Sequence, residues 1–154
     1  MPHIHEKIDW SVDVFIVNGD AVLLRKHDKY KMWLAPGGHV ELDETPDVAA
    51  VREAKEETGL DVTLVGDVPA IGEGVGYKEL LVPAFMNIHP INDVHSHMSL
   101  VYVATSESRD VHDGETEVSD GMRWFTRDEL DDPSWEIKET ILHYARHALT
   151  LVGK

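Results

Sequence analysis

Residues 37–60 leave this chain little freedom in how it folds: Gly-Gly-His-Val-Glu-Leu-Asp-Glu-Thr-Pro-Asp-Val-Ala-Ala-Val-Arg-Glu-Ala-Lys-Glu-Glu-Thr-Gly-Leu. Thr45 is a good helix N-cap, and Pro46 takes the first helical position, where a missing N–H costs nothing. Asp47 suits the positive end, and Gly59 is a left-handed stop, so the spacing predicts a helix over 46–58. At about 3.6 residues per turn, Glu53, Glu56 and Glu57 share one face beside Ala49 and Ala50. Val48 and Val51 point the other way.

Carboxylates at helical spacing repel one another unless something positive joins them. Two readings follow: a solvated acidic face paired with Arg52 and Lys55, or a site for a hard divalent cation. In the second, oxygen ligands favour Mg²⁺ or Mn²⁺ over zinc. The acidic face then strains the fold when empty, so added cation should stabilise the chain.

The wider order favours the cation. Gly38, five residues, Glu44, seven residues, Arg52-Glu53, Ala54 in an aliphatic slot, one residue, Glu56-Glu57, one residue, Gly59 and Leu60 resemble the signature of the Nudix hydrolases, over 23 of 154 residues. The resemblance implies an α/β fold of the α+β type, an α/β/α sandwich around a central mixed β-sheet. It also implies Mg²⁺-dependent hydrolysis of a nucleoside diphosphate linked to another moiety. Glu53, Glu56 and Glu57 would hold the metal with the Gly38 carbonyl, while Arg52 and Glu44 orient them. The general base in such enzymes is a helix glutamate or an acid from a distant loop. Among the latter, Glu117 ranks first here, with Glu115 and Asp120 behind it. A compact chain of this kind resembles the small nucleoside-triphosphate pyrophosphatases. Alternatives are an ADP-sugar or dinucleoside polyphosphate hydrolase, or a nucleotide-sensing module of the same fold without turnover.

Composition narrows the class further. At 154 residues, 42% of them apolar, the chain is expected to form one domain over 1–154 with a real core. A formal net charge of −15 argues against a nucleic-acid partner. The absence of cysteine removes disulfides, thiolate metal sites and a cysteine nucleophile. The polar start is unlike a signal peptide, and no apolar run approaches the roughly 20 residues of a membrane span. The expectation is a soluble cytoplasmic enzyme, monomer or homodimer, acting on a small nucleotide-type substrate.

Along the chain, His3 and His5 are assigned no role. A strand over 10–17 and a second over 21–25 flank Asn18-Gly19-Asp20 as a hairpin. Trp33 either packs on the core or covers substrate, and Pro36 fixes the approach to the glycines. Further strands are expected over 61–65, 80–88 with Pro83 at an edge or bulge, 97–105 and 122–125, with a glycine-rich loop over 66–76 and an acidic one over 107–120. His95, His97 and Ser99 fall at period two, as substrate contacts, a second metal site, or a hydrogen-bonded structural pair. Thr126 to Glu129 reads as a capping box, and Asp132-Pro133 as the start of the last helix, with a stripe of Ile137, Ile141, Ala145, Ala148 and Leu149.

Overall fold

Apolar residues alternate along the first strand, and each set faces a different helix. A computed structural model describes residues 5–71 and 74–152; His3 lies outside them. Strand β1 (Ile8–Asn18) places Val12, Val14 and Ile16 in a cluster with Ala49, Ala50 and Ala54, while Phe15 and Val17 join a second cluster with Ala145, Ala148 and Leu149. A strand buried on both faces must be central. It turns through Asn18 into β2 (Ala21–Lys26), as expected of the hairpin.

The sheet has eight strands in the order β3-β2-β1-β7-β5, with β4 also on β1, β6 on β7 and β8 on β2. The short strands β3 (Trp33–Leu34) and β4 (Gly37–His39) flank Pro36, and β5 is Thr63–Val65. Strand β6 is Phe85–Pro90, β7 is Ser96–Thr105 and β8 is Met122–Thr126. β1 and β7 run parallel from Ile8↔Ser96 to Val17↔Thr105, and the other pairs are antiparallel, so the sheet is mixed. Helix α1 (Pro46–Thr58) covers one face, and α3 (Glu139–Val152) covers the other. This is the α/β/α sandwich.

Three local expectations are corrected. Strand β6 starts after Pro83, with the Ala84 N–H donating to the Val101 carbonyl at 2.8 Å, because proline has no N–H for the ladder. The last helix does not start at Pro133. Asp132 caps a 3-10 turn over Pro133–Trp135, Glu136 turns left-handed at φ 55°, and α3 begins only at Glu139. Thr45 has N-cap backbone angles, but its hydroxyl donates to Asp47 Oδ1 at 2.6 Å rather than capping the helix. The capping box at Thr126 and Glu129 is complete and opens α2 (Arg127–Leu130). No described helix is long and apolar enough to cross a membrane.

Candidate active site

Helix α1 is packed in an unusual sense. Its alanines lie flat on the sheet with Glu53, 1% exposed, and Glu57, 6% exposed, while Val48 and Val51 face solvent. Alanines let the helix approach closely, which takes the two acids out of water. Glu56, on the same side but rotated outward, keeps a side chain 48% exposed.

The cost of burying carboxylates is several kcal/mol each unless they are paired. Glu57 is paired: Oε1 accepts from the Gly37 N–H at 2.6 Å, and Oε2 meets Arg25 Nη1 at 3.1 Å. Glu53 is only half satisfied. Arg52 Nη1 donates to its Oε1 at 3.0 Å, but Oε2 is buried with no hydrogen-bond partner. Burial pushes the Glu53 carboxyl up to about 7 and that of Glu57 up to about 8, against the pull of Arg52 and Arg25. The Glu117 carboxylate adds repulsion to both.

Arg52 bonds to several of these acids at once. Its guanidinium donates to Glu44 Oε1 at 2.5 Å and Oε2 at 3.0 Å, to Glu53, to Glu56 Oε2 at 3.1 Å and to the His39 carbonyl at 3.0 Å. This fork links the helix to β4 and the loop between them, a geometry only arginine offers. The Glu44 bonds hold its own carboxyl below the usual range.

Gly38 is present because nothing larger fits: a Cβ there would lie 2.4 Å from Glu53 Oε1 and 2.7 Å from Oε2. The Gly38 backbone therefore abuts the orphaned oxygen. The remaining member arrives from the loop 107–120. A Cβ on Gly114 would lie 2.2 Å from the Glu56 carbonyl, and the His112 N–H donates to the Thr58 carbonyl at 3.0 Å, so this loop is docked on the end of α1. Arg25 Nη2 donates to the Glu117 carbonyl at 2.7 Å. Glu117 is thus gathered with Glu53 and Glu57, whereas Glu115 is exposed and Asp120 pairs with Lys31.

The other candidates lie apart. Trp33 packs edge-on against Phe125 at 5.2 Å and Trp135 at 6.0 Å, in the cluster beneath α3. His95 is 4% exposed and meets Asp9 Oδ2 at 3.1 Å, while His97 Nε2 lies 3.3 Å from His39 Nε2. Sequence reading missed Arg25. Its signal is a charge at the end of the apolar run of β2, on the side of Leu23, which faces α1.

Buried acids short of positive charge, one with an unpartnered oxygen against a glycine backbone, suit a hard divalent cation in character and charge. The NUDIX domain model matches residues 7–145, and the chain belongs to the NUDIX family. The family match and the hydrolase relatives make this chain a hydrolase acting on phosphorus-containing acid anhydrides. Members of that family act on small nucleotide-type substrates. A NUDIX-family hydrolase from Clostridium perfringens is 37% identical over 93% of this chain and 97% of that one, with a TM-score of 0.84. A C. elegans Ap4A hydrolase, at 17% identity and TM-score 0.67 over 94% of this chain and 99% of that one, shares the fold. A probable DHNTP pyrophosphohydrolase from Lactococcus lactis is 35% identical over 75 residues, 43% of this chain and 45% of that protein. The match thus spans less than half the length of that curated relative.

Proposed function

We propose that this chain, as one cytoplasmic domain, is a Mg²⁺- or Mn²⁺-dependent pyrophosphatase of small nucleoside triphosphates. The observation that carries the metal assignment is the buried, unpartnered Glu53 Oε2 against the Gly38 backbone. Glu53, Glu56, Glu57 and the Gly38 carbonyl would hold the cation. Bound there, it would neutralise charge on the phosphate oxygens.

The chain's own residues do the rest. Arg52 and Glu44 fix the direction of the Glu53 and Glu56 carboxylates, and Arg25 with the Gly37 N–H fixes Glu57. Glu117, brought in by the docked loop, takes the proton from the attacking water. The triphosphate reading rests on the resemblance to small pyrophosphatases and on the name of the Lactococcus lactis relative.

A panel of (d)NTPs, DHNTP, ADP-sugars and dinucleoside polyphosphates, assayed with Mg²⁺ and with products identified, tests it. Release of pyrophosphate and a nucleoside monophosphate from a triphosphate is expected. Preference for an ADP-sugar or a dinucleoside polyphosphate would overturn the substrate class, and tight binding without turnover would make the chain a sensor.

A further inference from the structure

The central strand carries an acid that the cation site does not use. Along β1, Val12 and Val14 point toward α1, so Ser11, Asp13 and Phe15 point toward the α3 side. Ser11, Val12, Val14 and Phe15 are buried, whereas Asp13 keeps part of its surface open to solvent. Its antiparallel register partner is Gly37, which has no side chain to cover it, and its parallel partner is Val101. A carboxylate drawn this far into a sheet is costly unless something donates to it.

The hydrogen bonds leave that carboxylate short of donors. Ser99 donates its hydroxyl to Asp13, since an ionised carboxylate only accepts. The Ser11 and Ser99 hydroxyls lie 2.9 Å apart, and with the Ser99 proton directed at Asp13, Ser11 is the donor between them. Both protons thus run along one line toward Asp13. Ser99 fills one of the roughly four lone-pair sites of the carboxylate, and no described Lys or Arg forms an ion pair with it. Neither Asp13 oxygen is a buried orphan, so the acceptor capacity left over lies where solvent reaches it.

The surroundings suit a flat ligand. In β6, Phe85 and Asn87 pair with Val101 and Ser99, one strand over from Asp13. The Phe85 ring lies 4.9 Å from that of Tyr144, and Asn87 Nδ2 donates to the Tyr144 hydroxyl at 3.1 Å. Aromatic neighbours with a few fixed polar groups are the make-up of small-molecule sites. Gly37 joins this place to the acids, because it pairs with Asp13 while its N–H donates to Glu57 Oε1 at 2.6 Å. For a substrate whose phosphates lie at the acidic site, one strand, β4, separates them from Asp13.

We propose that Asp13 is a specificity-determining residue that accepts two adjacent N–H groups from the substrate's heterocycle, and so selects a guanine-type edge, an amide N–H beside an exocyclic amino group. This rests on the nucleoside-triphosphate reading above. An acceptor-only carboxylate repels the unprotonated ring nitrogen of adenine or cytosine, and the carbonyls that flank the N–H of uracil. A guanine-type edge sets two donors side by side, for a fork of two parallel bonds. The phosphates are excluded from this place by their own charge.

The nucleotides dGTP and dITP differ by the 2-amino group alone. Wild-type kcat/KM should favour dGTP by about 10-fold to 10²-fold, the value of one hydrogen bond to a charged group. Asp13→Asn keeps the shape but offers one acceptor and one donor, the complement of adenine. In that variant the preference for dGTP over dITP should collapse, and dATP should gain on dGTP by about 10-fold or more. Equal kcat/KM for dGTP and dITP in the wild type, or an unchanged preference in Asp13→Asn, overturns the assignment and leaves the triphosphatase reading intact. Failure to turn over any triphosphate overturns that reading instead, and calorimetric binding of dGMP and dIMP to the wild type then decides the role of Asp13. Tighter binding of dGMP supports it, and equal binding overturns it. The Asp13 carboxyl ¹³C resonance of the wild type gives an answer that does not depend on folding of the variant: it should move on binding dGMP, and a resonance that stays in place overturns the contact.

Discussion

Glu53 is a carboxylate that folding pushes into an apolar setting with one oxygen unpaired, and its behaviour with pH follows from that. Between the ordinary 4.5 and about 7 the native side chain keeps its proton while the unfolded chain has lost it. The folded state then binds more protons, so its stability falls as pH rises, reaching a plateau above about 7. Glu57, raised to about 8, and Asp13, raised by burial to about 6, act in the same sense. In chelator, Glu53→Gln should therefore melt with wild type near pH 4.5 and above it at pH 8. The difference is up to about 3 kcal/mol if the full shift is expressed, and it should shrink or reverse in saturating Mg²⁺. Denaturant melts across pH decide this, and a constant difference would show that burial of the charge is not its cause. For catalysis, Glu117→Gln should lower kcat by about 10²-fold or more, and Glu115→Gln should do little, because only Glu117 lies with the buried acids. A larger loss in Glu115→Gln would move the base. The acids of α1 were legible because helical spacing ties them together. Arg25 was not, since its partners Glu57 and Glu117 lie 32 and 92 residues away and only the sheet brings them near.

At the level of elements, α1 shows what sequence can and cannot specify. Its ends were legible, since Pro46 and Gly59 constrain the backbone locally, and Gly59 adopts φ 79°. Its inner face follows from the fold: alanines and acids lie inward and valines outward. A hydrophobic face would have been read the other way. Ala50→Leu should consequently lower stability by about 1–3 kcal/mol by lifting the helix from β1, whereas Val51→Lys, a larger change in character, should stay within about 0.5 kcal/mol. Thermal melts of the two variants test this orientation of α1, and a reversed ranking would contradict it. The start of α3 was misjudged for a related reason. Asp132-Pro133 is a sound helix opening, but Trp135 is held against Phe125 at 5.1 Å, and the left-handed Glu136 ends the turn there. Tertiary packing overrode a local signal.

For the whole molecule, the net charge of −15 gives cations two ways to stabilise it, and they can be separated. General screening acts on every exposed acid, depends on ionic strength and has no saturation at one equivalent. Binding at the proposed site would be selective for the native state, because unfolding disperses Glu53, Glu56, Glu57 and the Gly38 carbonyl. At free Mg²⁺ ten times its dissociation constant, this linkage is worth roughly 1.4 kcal/mol, a few degrees in Tm for a chain of this size. A Mg²⁺ titration of Tm at ionic strength fixed with KCl should therefore rise along a binding curve in wild type. In Glu53→Gln the rise should be markedly smaller at the same free Mg²⁺, although the net charge changes by only one of fifteen. An equal rise in both proteins would mean that screening alone stabilises the fold, and that the cation reaches these acids only with the phosphates of the substrate.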